Sequence, residues 1–252
     1  MKTALITGAT SGIGYEFAMQ LAKRGYRLIV TGRRMERLLE LRENVDVPVE
    51  MIQADLSSEE ACYDFLEKMK EWEIDLFINN AGFGLAGAFL ESDLDREISM
   101  VKVNDIAMHI LFKGILQQMH AAGKGQILNV ASSAGLLPGG PYMATYYASK
   151  AYVTSLTRGV ACELSEMGSQ VKVSALCPGP VDTEFNSRAN VSFSLKGISA
   201  RQCVREAILG LEKGQTIIVP STRMKLAMFF MKIVPVSALV KMTGHQQKKK
   251  LG

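Results

Sequence analysis

The sequence is poor in the residues from which metal centres and disulfide frameworks are built. Its 252 residues include four cysteines and three histidines. The cysteines are scattered without a CxxC spacing, and the histidines lie far apart along the chain. We therefore expect no metal site, no disulfide framework and no histidine-based catalytic triad, and free thiols fit a reducing cytoplasm best.

The sequence also lacks a strong charge excess and a signal-peptide core. The net charge is +4, and part of this excess lies in the tail HQQKKKLG, so nucleic-acid binding is not indicated. The N-terminal stretch MKTALITG reaches a glycine at position 8, which is too early for a signal peptide. With 48% hydrophobic and 21% charged residues, the chain has the composition of a globular protein with a full core.

Seven apolar segments of strand length alternate with segments of helical periodicity. They lie at residues 3–7, 27–32, 49–55, 75–80, 126–132, 171–177 and 216–220. Strands that are apolar on both faces and alternate with helices are what a parallel sheet covered on both sides requires. The sequence therefore predicts an α/β fold, a single-domain Rossmann-type doubly wound parallel sheet, over residues 1–222.

Two regions do not follow this alternation. Residues 183–198 lack clear periodicity and are long for a connection, so we predict a substrate flap there. Residues 223–252 form an apolar and basic C-terminal extension, whose stretch 224–243 contains three lysines and Pro235. Charges and a proline argue against a membrane span. Three interpretations of 224–243 stay open: peripheral contact with a membrane, a cover over the substrate cleft, or packing in a subunit interface.

A glycine-rich turn, TGATSGIG, joins the first predicted strand to the first predicted helix. In a doubly wound sheet, a phosphate-bearing ligand binds at this position. Gly8 can adopt a turn conformation that is closed to other residues, Gly12 lets the backbone approach a pyrophosphate, and Gly14 lets the helix pack on the strand. The spacing G-x-x-x-G-x-G differs from the common dinucleotide fingerprint G-x-G-x-x-G.

Three more motifs follow in order: NNAG at 79–82, the Y-x-x-x-K pattern of Tyr146 and Lys150, and PGPVDT at 178–183. Together with the glycine turn, they closely resemble the short-chain dehydrogenase/reductase family over residues 1–220. The resemblance implies an NAD(P)-dependent oxidoreductase that interconverts a ketone or aldehyde and the corresponding alcohol. By analogy with the family, we expect a homodimer or a homotetramer.

The resemblance also implies the cofactor site. Its residues would be Gly8, Thr10, Ser11, Gly12, Ile13, Gly14, Arg33, Asp55, Leu56, Asn80, Ala81, Gly82, Tyr146, Lys150, Pro178, Gly179, Val181 and Thr183. After the second strand, a carboxylate would bind the ribose of NAD(H), whereas a basic group accepts the 2′-phosphate of NADP(H). Gly32, Arg33 and Arg34 stand there, which favours NADP(H). NAD(H) stays the alternative, because Ser11 occupies the position of the family's other basic marker.

The stretch MATYYASK places two phenols near one ammonium in a predicted helix. Tyr146 and Lys150 are four residues apart and Tyr147 and Lys150 are three apart, so spacing alone barely discriminates between the phenols. The family pattern selects Tyr146 as the general acid and base. Lys150 and the positive nicotinamide of the oxidised cofactor would supply the charge that lowers the pKa of this phenol towards neutrality. Lys150 would also bind the nicotinamide ribose.

Two further catalytic roles follow from the resemblance. In NVASSAG, counting along the strand from Asn129 favours Ser132 as the hydroxyl that polarises the carbonyl, whereas counting back from Tyr146 gives Ser133. Successive strand residues point to opposite faces, so one serine faces the substrate, and we prefer Ser132. Asn104 matches the family asparagine of the proton relay; the alternative is a satisfied core amide.

The expected substrate is a small apolar ketone, aldehyde or secondary alcohol, because the segments around the cleft, such as FGLAGAF and GLLPGGPYM, carry few charges. The alternative function is a non-catalytic NADP(H)-binding sensor or scaffold of the same fold. Turnover of NADPH with a panel of ketones distinguishes the two.

Overall fold

The seven apolar segments form one seven-stranded parallel sheet in a computed structural model, which describes residues 1–184, 197–231 and 233–248. The described strands are β1 (Thr3–Thr7), β2 (Arg27–Gly32), β3 (Val49–Gln53), β4 (Leu76–Asn79), β5 (Gln126–Val130), β6 (Lys172–Leu176), β7 (Val181–Asp182), β8 (Ile198–Ser199) and β9 (Ile217–Ile218). Their order in the large sheet is β3-β2-β1-β4-β5-β6-β9, and β7 pairs separately with β8. The prediction of a doubly wound parallel sheet is confirmed.

Helices connect the strands in chain order. The described helices are α1 (Gly12–Ala22), α2 (Met35–Glu43), α3 (Glu59–Met69), α4 (Leu94–Val101), α5 (Met108–Ala121), α6 (Ala144–Glu166), α7 (Ala200–Glu212), α8 (Thr222–Met231) and α9 (Val236–Lys248). A π-helical turn (Lys102–Ala107) joins α4 to α5, and a short 3-10 helix (Ser133–Leu136) precedes α6.

Alternate residues of each strand feed two separate cores. Ala4 and Ile6 of β1 pack towards α1, α2 and α7, whereas Leu5 packs towards α3, α5 and α6. All three side chains are fully buried. This burial on both faces explains why the strands read as continuous apolar runs.

The strand order reverses between β1 and β4, which opens a crevice at the carboxyl ends of the strands. The predicted flap at 183–198 lies largely outside the described residues, since 185–196 are not among them. No helix within the described ranges is long and apolar enough to cross a membrane.

Candidate active site

A cavity of about 250 Å³ opens at this crevice. Most of the predicted nicotinamide-side and catalytic residues line it: Ile13, Asn80, Gly82, Ser132, Tyr146, Lys150, Pro178, Gly179, Val181 and Thr183. They come from the ends of β4, β5 and β6, from β7 and its end, and from α1 and α6, so the topology brings together motifs that are far apart in sequence. Ser133, the alternative serine, also lines the cavity.

Asp55 and Leu56 follow β3 and are not part of this lining. The Asp55 carboxylate accepts hydrogen bonds from the backbone N–H and the hydroxyl of Ser57, at 3.0 and 2.9 Å. Leu56 is buried in the core. The contacts formed by Asp55 are therefore those of a turn residue.

The glycine-rich turn has the shape that a dinucleotide requires. Gly8 and Gly12 have φ angles of +66° and +57°, a region that other residues rarely adopt. A Cβ atom at Gly12 would lie 3.3 Å from the Thr183 side chain, and one at Gly14 would collide with the carbonyl of Gly8. Ser11 precedes α1, and its side chain caps no amide within the described structure. The first amides of α1 thus lie at a glycine surface that fits a pyrophosphate.

Hydrogen bonds fix the turn against the end of β4. The Thr7 hydroxyl accepts from the backbone N–H groups of Asn80 and Ala81, at 2.9 and 3.0 Å. The Asn80 amide donates to the carbonyls of Thr7 and Gly8, at 2.9 and 3.2 Å. These bonds hold two of the predicted cofactor motifs in one rigid unit.

The end of β2 is basic and has no room for an acidic side chain. A Cβ at Gly32 would collide with the methyl group of Thr10. Arg34 donates to the Thr10 carbonyl at 3.1 Å and forms an ion pair with Glu184 at 3.4 Å. Arg33 is exposed, and its guanidinium forms no hydrogen bond or ion pair with the described residues. Two guanidinium groups therefore border this end of the turn.

Tyr146 is buried in the cavity wall, and an interaction with the side chain of Ser132 acts to lower the pKa of its hydroxyl. Ser132 also accepts from the backbone N–H of Ala134 at 3.1 Å. Ser133 starts the 3-10 helix, and its N–H donates to the Pro178 carbonyl at 2.8 Å. Ser132 is thus the serine in contact with Tyr146.

Burial decides the direction in which the pKa of Tyr146 departs from its ordinary value. Burial raises the pKa of Tyr146 to about 12, and the interaction with Ser132 only partly offsets this. The ammonium of Lys150 lies 6.0 Å from the Tyr146 ring centroid and donates to the Val130 carbonyl at 3.0 Å. Desolvation is therefore the largest effect on the pKa of Tyr146, and the neighbouring phenol of Tyr147 adds to it.

Lys150 is itself buried, and burial lowers its pKa to about 8. The carboxylate of Asp105, in the π-helical turn, opposes this shift. Burial also raises the pKa of Asp105 to about 6, and one of its carboxylate oxygens is buried without a hydrogen-bond partner in the described structure. No motif in the sequence points to this carboxylate.

Asn104 lies in the same π-helical turn, a local distortion that is frequent at functional sites. Its side chain accepts from the Phe83 N–H at 3.0 Å and donates to the Phe83 carbonyl and the Ser149 hydroxyl, at 2.9 and 3.1 Å. A Cβ at Gly82 would lie 2.9 Å from the Asn104 oxygen and 3.4 Å from the Lys150 nitrogen. The side chain of Asn104 thus clamps the loop after β4 beside Lys150.

The C-terminal extension supplies the opposite wall. Met224, Ala227, Met228 and Met231 of α8 and Gln246 and Gln247 of α9 line the cavity. Gln247 is buried and donates to the Tyr147 hydroxyl at 2.7 Å. Of the three interpretations of 224–243, the structure thus supports a cover over the cleft. Nothing in the tail HQQKKKLG distinguishes Gln247 in sequence, so this contact could not be predicted.

Comparison with known proteins gives a consistent result. A model of the short chain dehydrogenase family matches residues 2–192. An uncharacterized oxidoreductase of Staphylococcus saprophyticus is 33% identical over 218 residues, which cover 84% of this chain and 92% of the relative.

Solved structures agree over nearly the whole chain. A short-chain dehydrogenase from Sphingobium yanoikuyae in complex with NADPH has a TM-score of 0.81 and 28% identity, with 93% of this chain and 97% of that chain covered. The bulky-bulky ketone specific alcohol dehydrogenase from Comamonas testosteroni has a TM-score of 0.76 and 28% identity, with 93% and 95% covered.

Proposed function

The chain belongs to the short-chain dehydrogenase family and is an NAD(P)-dependent oxidoreductase, and we propose that it interconverts an apolar ketone or aldehyde and its alcohol with NADP(H). The observation that carries this proposal is the buried Tyr146 phenol, which lines one cavity together with Ser132 and Lys150 and has the Lys150 ammonium 6.0 Å from its ring centroid. When bound, the nicotinamide supplies or accepts the hydride.

Tyr146 is the proposed general acid and base. Since burial raises its pKa to about 12, the phenol keeps its proton at neutral pH and can donate it to the alkoxide that forms during reduction. Ser132 stabilises the substrate oxygen by a hydrogen bond as negative charge develops there. Oxidation of the alcohol requires the phenolate, and Lys150 is the cation placed against the ring to stabilise it.

Lys150 and Asn104 are proposed to organise this site. Lys150 would bind the nicotinamide ribose, and its burial in the cavity wall supports a fixed position for the ammonium. Asn104 would act mainly by position, because both of its side-chain N–H groups donate to Phe83 and Ser149 and its oxygen accepts from Phe83. The clamp keeps the loop after β4 close enough to Lys150 that only a glycine fits at position 82.

The preference for NADP(H) rests on Arg33 and on the crowding at Gly32. An acid cannot stand at position 32 without displacing Thr10, so the usual partner of the NAD(H) ribose is missing at this strand end. Exposed Arg33 can pair with a 2′-phosphate in bidentate geometry. In Arg33→Ser, we expect the KM for NADPH to rise about 10- to 100-fold while the KM for NADH stays within about twofold. Equal changes with both cofactors would contradict the assignment.

An apolar substrate fits the lining of the cavity. Phe83, Leu137 and Met143 form one side, and the methionines of α8 form the other. The similarity to an alcohol dehydrogenase specific for bulky ketones supports the same substrate class for this chain. Methionine side chains are flexible, so they can adapt to ketones of different shape.

The roles of the two phenols are tested by Tyr146→Phe and Tyr147→Phe, assayed by NADPH oxidation against a ketone panel. We expect Tyr146→Phe to lower kcat by about a thousandfold and Tyr147→Phe by less than about tenfold. Loss confined to Tyr147→Phe would overturn the assignment. NADPH binding without turnover of any ketone would favour the sensor interpretation.

Three further parts of the proposal concern the surroundings of the enzyme: assembly as a homodimer or homotetramer, a cytoplasmic location, and peripheral membrane contact through 224–243. Sedimentation velocity of the full chain distinguishes a monomer from the two assemblies. A monomer at micromolar concentration would contradict the first part.

A further inference from the structure

Helix α8 is apolar on two opposite sides. Met224, Ala227, Met228 and Met231 recur at helical spacing and line the cavity. Leu226, Phe229 and Phe230 form a second stripe, displaced by two residues and therefore about 200° around the axis. A helix that is apolar all round is normally covered on all sides, yet no residue of α8 is buried. The outer stripe is thus an apolar surface that lacks a cover among the described residues.

More exposed apolar side chains follow α8 along the chain. Ile233 lies between the two helices and Val236 and Met242 lie on α9, and together with the outer stripe these six side chains are between 50% and 80% exposed. We call Leu226, Phe229, Phe230, Ile233, Val236 and Met242 the outer face. Phe229 and Phe230 contact each other, with ring centroids 5.7 Å apart, and exposed apolar side chains that recur within one segment are typical of a surface of interaction.

The charge around the outer face identifies its partner. Residues 213–252 contain eight Lys or Arg residues and no Asp or Glu, so the first 212 residues carry a net charge of −4 although the chain totals +4. Lys225 and Lys241 are exposed on the helices that carry the outer face. Exposed phenylalanines flanked by lysines fit the boundary between the acyl chains and the headgroups of an anionic lipid bilayer.

A second copy of the chain fits this surface less well. A symmetric dimer contact pairs the same surface of both subunits, so it would bring two basic, acid-free segments together. Repulsion between them would oppose the gain from apolar burial. An anionic lipid surface offers apolar contact and opposite charge at once.

We propose that the outer face docks the enzyme on anionic lipid bilayers, and that the cavity behind α8 takes its apolar carbonyl substrate from the bilayer. One helix then has two roles, since its inner stripe lines the cavity while its outer stripe lies in the lipid. The docking is independent of the reaction; the substrate delivery rests on the proposed function.

Docking is tested by co-sedimentation of the full chain with phosphatidylcholine vesicles that contain either no or about 30% phosphatidylglycerol. We expect the parent protein to bind the anionic vesicles. About 0.5 M NaCl should release it, because charges are strongly screened at that concentration. The double variant Phe229→Ser/Phe230→Ser should lose about a hundredfold in affinity, and Lys225→Glu about fivefold or more. Phe89→Ser removes a phenylalanine that is also 65% exposed, like Phe229, and should bind like the parent.

Equal binding of the parent and the double variant would overturn the docking proposal. So would dissociation of an oligomer in the double variant, because that result assigns the outer face to a second copy of the chain. Thermal unfolding monitored by circular dichroism checks that both variants are folded. Phe229→Trp gives an independent readout: on docking, its fluorescence should shift to the blue and be quenched by brominated lipids.

Substrate delivery is tested with tetradecan-2-one dissolved in anionic vesicles and hexan-2-one in vesicle-free buffer. We expect the double variant to turn over the first ketone at least about tenfold more slowly than the parent and the second at the same rate. Equal rates on the vesicle ketone would overturn the delivery step. If neither ketone is reduced by the parent, the proposed function fails, while the sedimentation result still decides the docking.

Discussion

A methyl group added at Gly14 and one added at Gly179 would both collide with a neighbour, but with neighbours of different kinds. At Gly14, in the cofactor turn, the obstacle is the backbone carbonyl of Gly8. At Gly179, the obstacle is the terminal methyl of Met224. Met224 belongs to the cavity wall formed by the C-terminal extension, which we call the C-terminal wall. The first obstacle belongs to a turn held by β1 and β4, whereas the second is the end of a flexible side chain.

This difference extends through the two halves of the cleft. The cofactor half is built from backbone and glycines, which suits a ligand whose shape does not vary. The C-terminal wall is built from methionines of α8, which suits substrates of variable shape. Substitutions on the two sides should therefore differ in their effects on stability and ligand affinity. The backbone of the turn cannot move to accommodate an added methyl group, whereas a methionine side chain can.

The largest effect is expected for Gly14→Ala. The new methyl group collides with the Gly8 carbonyl and with the Asn80 amide that donates to it, so the turn has to open. We expect a loss of about 3 kcal/mol in the free energy of unfolding and a large loss of NADPH affinity. Urea unfolding and a fluorescence titration with NADPH measure the two.

Gly159→Ala is the matched control for this variant. Gly159 lies in α6, and a Cβ there would meet nothing within 4 Å. We expect Gly159→Ala to be neutral or to stabilise the protein by up to about 1 kcal/mol. If Gly14→Ala is as stable as Gly159→Ala, the cofactor turn is not rigid and the comparison fails.

The sequence predicts the cofactor half well because its features are local. Strands such as β1 are defined by runs that are apolar on both faces, and a turn that needs φ above zero requires glycine at Gly8 and Gly12. The motif spacing also brings Tyr146 and Lys150 to one wall of the cavity. Each of these features can be read from a few neighbouring residues.

The C-terminal wall is harder to predict because it depends on tertiary packing. Gln247 reaches Tyr147 only because Thr243, one turn earlier on α9, donates to the Gly139 carbonyl at 3.0 Å and Gly244 packs on Pro141. The pKa of Tyr146 is another such property. Spacing suggests a favourable cation, whereas the sign of the shift is decided by burial, which depends on the whole fold.

Gln247→Met tests how firmly α9 closes the cavity. The change keeps the side-chain length but removes the hydrogen bond to the Tyr147 hydroxyl, which is buried. We expect a loss of about 1–2 kcal/mol in unfolding free energy and faster amide exchange in α9. Gln246→Met, at an exposed neighbour, should change neither. Unaltered exchange in Gln247→Met would show that apolar packing alone holds the helix.

Asp105→Asn tests the electrostatics that link the two halves at Lys150. Asp105 opposes the shift that burial imposes on Lys150, so removal of its charge should lower the pKa of Lys150 further below about 8. Lys150 then loses its proton at lower pH. We expect the alkaline limb of the pH profile of kcat/KM to move to lower pH by about 0.5–1 pH unit.

The control for charge is Asp95→Asn, which removes an exposed carboxylate from α4. Its profile should match that of the parent. An upward movement of the alkaline limb in Asp105→Asn, or the same movement in both variants, would contradict a specific interaction between Asp105 and Lys150.

Gly179→Ala should have the smallest effect, although the added methyl lies as close to its neighbour as the one at Gly14. Met224 can rotate its terminal methyl into the cavity, because Met224 itself lines that space. We expect a loss below about 1 kcal/mol in unfolding free energy and an NADPH affinity within about twofold of the parent. The displaced methionine occupies substrate space, so the KM for bulky ketones should rise instead. Met224→Ala in the same background removes the obstacle and should restore that KM. A loss as large as that in Gly14→Ala would show that the C-terminal wall is as rigid as the cofactor turn.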